Sequence, residues 1–235
     1  MVSVCMATKN GAAFIQEQLE SIVPQLNQDD EIIIFDDFSD DDSVSIIRSF
    51  YDKRIRLTVN SHERGVVRSF EDCLTSSRGE YIFLADQDDV WLPGKVHKMK
   101  NAWQSYDLVM SDCHLVDLSL QMKKPSFYDV NNSGKGIVKN LLKNSYMGCC
   151  MAFTKQLKER ALPFPADIPM HDFWLGLIRE LYFKVHFMQE VLVLHRRHES
   201  NASTTGRASE RSMNEKILNR LKLVKNLFIH KYYAG

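Results

Sequence analysis

An excess of either charge is what the chain most plainly lacks: 30 Lys and Arg stand against 30 Asp and Glu in 235 residues. That balance argues against a nucleic-acid binder held by bulk charge. Long apolar runs are missing as well. Nothing approaches the roughly 20 consecutive apolar residues that span a bilayer, so no membrane-spanning helix is expected. Cysteine is scarce and unpatterned: Cys5, Cys73, Cys113, Cys149 and Cys150 are odd in number and form no CxxC pair. Free thiols in a reduced, cytoplasmic compartment are expected rather than a disulfide scaffold. Met1-Val2-Ser3-Val4-Cys5-Met6 has no basic region ahead of an apolar core, so no secretory signal is expected, and the sequons at Asn131 and Asn201 read as chance matches. There is no internal repeat and no low-complexity linker. What remains is 44% hydrophobic and 26% charged. That is enough apolar material for one large domain, or a domain with a small appendage.

The most informative stretch runs from Gly79 to Pro93. Tyr81 to Ala85 is apolar, and the chain then breaks into Asp86, Asp88 and Asp89. An apolar run of that length reads as a buried strand in a parallel sheet. Asp86 and Asp88 lie two apart, so in extended chain they point the same way. Carboxylates crowded at a strand end repel one another, and a divalent cation relieves that repulsion. A solvated acidic loop would carry the same triplet. The strand in front and Trp91 behind favour a metal–phosphate site, because ligands of open α/β sheets bind beyond the carboxyl ends of strands.

Around it the pattern alternates. Val2 to Ala7, Glu31 to Phe35 and Arg54 to Asn60 read as strands; Phe14 to Val23, Ile46 to Phe50 and Val66 to Leu74 read as helices. Such βαβ order indicates a parallel sheet, with Thr8, Asp37 and Asp86/Asp88 on one edge. Ser39 or Asp40 would cap the second helix. The second half is less regular. A helix is expected over Lys95 to Trp103, strands over Tyr106 to Val116, Tyr146 to Phe153 and Phe183 to Leu194, and a loop over Lys123 to Lys135. Short and long helices are expected over Gly136 to Leu142 and Glu210 to Tyr233, and a helix starts near Asp172.

These landmarks resemble glycosyltransferase family 2, the inverting nucleotide-sugar transferases of the GT-A fold, and within it a rhamnosyltransferase-like subgroup. The motifs are Ala7-Thr8-Lys9-Asn10-Gly11, Gly65-Val66-Val67-Arg68-Ser69-Phe70, Asp86-Gln87-Asp88-Asp89-Val90-Trp91-Leu92-Pro93, Tyr146-Met147-Gly148-Cys149 and Arg196 to Ser203. The resemblance covers roughly Val2 to Ser203. It implies an α/β fold: a Rossmann-like, mostly parallel central sheet flanked by helices, with a C-terminal helical extension. It implies a catalytic domain over 1–205, divided into a nucleotide-binding half (1–104) and an acceptor-binding half (105–205), and a C-terminal helix over 206–235.

The resemblance also implies roles. Thr8, Asn10, Asp37, Arg68, Asp86, Gln87, Gly148 and Arg197 would bind the nucleotide sugar, with Asp37 on the base and Asp36 able to share that role. Asp88 and His198 would hold Mn²⁺ or Mg²⁺. Asp172 would be the general base, preceded by His171 where the family usually has Glu; Trp91 could stack on the ligand or pack in the core. The activity implied is hexosyl or deoxyhexosyl transfer, rhamnose among the candidates, in bacterial surface polysaccharide synthesis. The donor would be a UDP- or dTDP-sugar and the acceptor a glycan or polyprenyl-linked chain. A cytoplasmic protein is expected, peripheral at the inner face of the plasma membrane through its last helix or using that helix for packing or a partner. An inactive nucleotide-sugar-binding scaffold of a polysaccharide assembly complex is the alternative.

Overall fold

Four apolar segments build the parallel half of a sheet in the computed structural model, which describes residues 1–198 and 212–233. They are Val2–Thr8 (β1), Glu31–Asp36 (β2), Ile55–Val59 (β3) and Tyr81–Asp86 (β4). β1 lies between β2 and β4, parallel to both, and β3 flanks β2. Ile32, Ile33 and Ile34 are all buried, as are Ile82, Phe83 and Leu84. Strands covered on both faces read as continuous apolar runs for this reason. The connections are helices: Ile15–Ile22 (α1), Ser43–Ser49 (α2) and Val66–Ser76 (α3). α1 and α3 each bury one stripe, Ile15, Leu19 and Ile22 in the first, Phe70, Cys73 and Leu74 in the second. Each fully buried aliphatic side chain contributes roughly 1.5–3 kcal/mol.

The sheet does not stay parallel. Its order is β3-β2-β1-β4-β8-β6-β9-β5, with Leu108–Val116 (β6), Met151–Thr154 (β8), Val185–Arg196 (β9) and the short Val90–Trp91 (β5). β8 is antiparallel to both β4 and β6, whereas β9 runs parallel to β6 and pairs antiparallel with β5. Met122–Lys124 (β7) adds to β6. The expected mostly parallel sheet is thus found in the first 86 residues, and the remainder is mixed. Lys95–Ala102 (α4), Phe127–Asn131 (α5), Ile137–Leu142 (α6), Lys155–Ala161 (α7), His171–Tyr182 (α8) and Met213–Tyr233 (α9) complete the described elements.

Three local expectations change. The segment read as a loop from Lys123 to Lys135 contains β7 and α5, because the buried Asp112 carboxylate accepts from Ser126 Oγ, Phe127 N and Tyr128 N at 2.5–3.1 Å. The strand read from Tyr146 begins only at Met151; Gly148 to Cys150 form one 3₁₀ turn. α2 is not capped by Ser39 or Asp40; Asp41 accepts from Ser43 N instead. Trp91 is core: it is 2% exposed, packs against Phe83 and lies under the Lys95 ammonium, 4.0 Å from its ring centre. Lys95, itself fully buried, donates to Cys149 O at 2.6 Å. All five cysteines are buried and unpaired.

Candidate active site

Every parallel strand of the first half points its carboxyl end at one edge of the sheet, and a cavity of about 480 Å³ opens there. Its walls include Thr8 and Asn10 from the turn after β1, Asp37 after β2, and Asp86, Gln87 and Asp88 at the end of β4. The other half contributes Gly148, His171, Asp172, His195 and His198. Of the residues expected at the site, Arg68 and Arg197 do not line it. Arg68 turns its guanidinium to Glu71 and Phe164 O, and the Arg197 amide bonds Val116 O at 2.9 Å. Glu199 to Ser203, the rest of that motif, lie outside the described residues.

Hydrogen bonds fix each wall. Gln87 brackets the turn after β1, accepting from Lys9 N (2.9 Å) and donating to Lys9 O (3.0 Å). Gly11 permits this: a Cβ there would stand 2.3 Å from Gln87 Oε1. Asp36 is consumed locally by Thr8 Oγ1 and by both Ser39 donors. Asp37 instead accepts from Asn60 Nδ2, Arg64 N and Gly65 N at 2.8–3.0 Å. Burial pushes its carboxyl up, and those three donors together hold it below the ordinary value. Gly65 presents its amide with φ of +85°, in the region that favours glycine.

The acidic end divides in two. Asp88 faces the cavity, and its Oδ2 lies 2.8 Å from His198 Nε2. Asp89 is fully buried; its Oδ1 takes the His195 ring at 2.9 Å and Arg196 N at 3.1 Å. Arg196 in turn donates to Asp88 O (3.0 Å) and to Glu17. This bracket clamps the end of β9 onto the acidic turn. Burial opposes charge on His195, but Asp89 beside it raises the imidazole to about 9. Asp89 is correspondingly held low, chiefly by His195, against the upward push of burial. Asp86 is pushed well up by burial and by the charges of Asp89 and Asp88. Asp88 is raised by burial and then by Asp89.

That pattern is a test of fit for a cation. Two carboxylates at the rim are raised by burial and by neighbouring carboxylates, a penalty that a cation would relieve, and Asp88 and His198 offer hard oxygen and nitrogen donors side by side. The residues fit Mn²⁺ or Mg²⁺. A neighbouring set, Asp86, Asp89, Cys149 and His195, has ligand atoms within 4.8 Å of one another. Of that set Asp89 and Cys149 do not line the cavity, whereas Asp88 and His198 both do.

Asp172 stands across the cavity, at the first turn of α8. Burial raises its carboxyl to about 6, against bonds from Phe173 N (2.6 Å) and Gly148 N (3.3 Å). His171 is stacked on Phe70, ring centres 3.8 Å apart, and burial lowers it to about 3, so it is neutral. Gly148 leaves it room: a Cβ there would lie 3.2 Å from His171 Nε2.

The family model for glycosyl transferase family 2 matches residues 3–160. The chain belongs to glycosyl transferase family 2. It is a glycosyltransferase with the mixed α/β architecture of GT-A enzymes and a C-terminal helix. Among curated relatives of this family member, a putative teichuronic acid biosynthesis glycosyltransferase, TuaG of Bacillus subtilis, is 23% identical over 83% of the chain and 79% of its own length. WfgD of Escherichia coli, a UDP-Glc:α-D-GlcNAc-diphosphoundecaprenol β-1,3-glucosyltransferase, is 23% identical over 77% of the chain and 70% of its own. S. aureus TarS 1–349 in complex with UDP-GlcNAc superposes with a TM-score of 0.74 at 15% identity, covering 96% of this chain. The chain spans 66% of that structure. The mannosyltransferase PcManGT of Pyrobaculum calidifontis, solved with GDP-Man and Mn²⁺, gives 0.67 at 22% identity over 85% of this chain and 58% of its own. At these identities the structures establish the fold.

Sequence reasoning missed Phe14, which stacks on His198 at 5.2 Å and lies under the Arg196 guanidinium. It also left His195 unassigned. No local pattern marks either residue, because the turn at Gln87 and Asp88 interrupts the strand alternation that would place Asp89.

Proposed function

We propose that this enzyme transfers a hexosyl or deoxyhexosyl group, rhamnose among the candidates, with inversion, from a UDP- or dTDP-sugar to a glycan or polyprenyl-linked acceptor in bacterial surface polysaccharide synthesis. The observation that carries this reading is that Asp88, His198 and Asp172 face one cavity whose other wall is Thr8, Asn10 and Asp37. Thr8, Asn10 and Asp37 sit where the nucleoside would lie, with Asp37 fixing the loop that borders it. Asp86 would meet the ribose. Asp88 and His198 would hold Mn²⁺ or Mg²⁺, which when bound offsets the charge developing on the departing diphosphate. Asp172 accepts the proton of the acceptor hydroxyl as its oxygen bonds the anomeric carbon and the carbon–oxygen bond to the diphosphate breaks. One displacement with one base inverts the centre. TuaG and WfgD support a role in cell-surface glycan assembly by the activities in their names. In this reading the enzyme works from the cytoplasmic side of the membrane.

The test is a thermal-shift screen of UDP-, dTDP- and GDP-sugars with Mn²⁺, followed by transfer assays. Wild type binds one nucleotide series. Asp88→Ala folds, loses the metal-dependent part of that binding, and loses transfer on the order of 1000-fold, the several kcal/mol a bridging cation supplies. If wild type binds no nucleotide sugar with Mn²⁺ or, in a repeat of the screen, with Mg²⁺, the reading falls.

A further inference from the structure

Charge that is balanced over the chain is not balanced over its surface. Residues 135–144, which contain α6, carry three lysines and no acid; residues 213–233, which are α9, carry five Lys or Arg and one acid, Glu215. These two helices touch: the Arg220 guanidinium donates to Leu142 O. Both also expose apolar side chains. On α6, Val138 and Leu142 are 67% and 62% exposed, one helical turn apart. On α9, Ile217, Leu221, Val224 and Phe228 recur at spacings of four and three and are all exposed, Leu221 at 61% and Phe228 at 63%.

The opposite face of α9 is anchored. Leu223 and Leu227 are buried, Asn226 donates to Asp167 at 2.8 Å, and His230 bonds Arg160 O. The helix therefore belongs to the fold, and its outward stripe is a surface. α6 is tied down as well, since Gly136 N and Asn140 Nδ2 both donate to Glu180 of α8.

We propose that α6 and α9 together form a docking face for an anionic lipid surface. Apolar stripes bordered by Lys and Arg are what a helix lying in the headgroup region presents: the apolar side enters the acyl boundary and the basic side meets lipid phosphate. A second copy of the chain is the less suitable occupant, because it would bring the same lysines opposite one another. The proposal stands apart from the transfer chemistry. It reaches that chemistry through α8, which holds α6 at Glu180 and carries Asp172 at its other end.

The experiment is co-sedimentation of the full chain with vesicles of phosphatidylcholine alone and of phosphatidylcholine with phosphatidylglycerol in equal parts, at low and high salt. Wild type partitions onto the anionic vesicles and is released by salt. The triple variant Lys222→Gln, Lys225→Gln, Lys231→Gln weakens partition by roughly 5-fold per lysine. Leu221→Ser with Phe228→Ser weakens it without changing the salt dependence. Nucleotide binding, measured by thermal shift with UDP and Mn²⁺, reports folding and the donor site separately and is unchanged in both. Two results overturn the proposal: wild type that ignores anionic vesicles, or partition that neither variant reduces. Dimers in light scattering that Phe228→Ser dissolves, without vesicle binding, would assign the face to a second copy and overturn it as well.

Discussion

Asp172 is set apart from the other carboxylates by what shifts it. Burial alone raises it to about 6, with no acidic neighbour among the causes. As the proposed general base it must be ionised to act, so transfer is expected to rise with pH through that value and level off above it. Asp172→Asn is expected to lower kcat by about 100- to 10,000-fold while leaving donor binding intact, and to abolish the acidic limb near pH 6. A limb that persists in Asp172→Asn would assign the titration elsewhere.

The Asp89–His195 pair makes the opposite kind of claim. His195 is raised from an ordinary 6.5 to about 9 in the folded protein. A base whose folded value lies higher stabilises the fold fully below pH 6.5, and that contribution fades as pH rises toward 9. Asp89→Asn removes the partner and strands the ring. The wild type should therefore lose stability between those pH values in metal-free buffer, and Asp89→Asn should be less stable at pH 6 with a flatter profile across the window. Because the bracket also sets the end of β9, two residues before His198, affinity for the proposed cation should fall by about 10- to 100-fold, as for other supporting shells. Isothermal titration with Mn²⁺ measures this.

At the scale of elements, α5 shows where the chain is legible and where it is not. The βαβ half could be read directly, since β1, β2 and β4 are apolar runs, β3 alternates, and α1 and α3 each carry a clean apolar stripe. Segment 123–135 could not, because its order comes from one buried carboxylate 14 to 16 residues before the groups it binds. Asp112→Ala is expected to cost about 2–4 kcal/mol, leaving four donors, Cys113 N among them, without their acceptor. Denaturant melts should show that loss while UDP binding persists, since Asp112 lies outside the cavity. The site residues follow the same division. Asp86 and Asp88 stand out because acids at a strand end break an apolar pattern, whereas Asp172 is singled out by the family resemblance. Phe14, His195 and Arg196 are invisible because their role depends on β9 returning beside β5, a non-local pairing that periodicity does not encode.

For the whole molecule, one sheet runs from β3 to β5 through both segments, and the cavity draws on both. β4 pairs with β8 across the boundary between the expected halves. Cooperative unfolding follows: neither half can lose its strands without opening the sheet of the other. Ligand that binds only the closed cavity then stabilises everything at once. At a hundredfold excess over Kd that amounts to about 2.7 kcal/mol, a rise in Tm of roughly 5–10 °C for a chain of this size. Calorimetry with UDP and Mn²⁺ should show one transition moving by that amount. Two transitions, with only the lower one responding, would mean that residues 1–104 melt independently and that the paired strands β4 and β8 do not couple the halves.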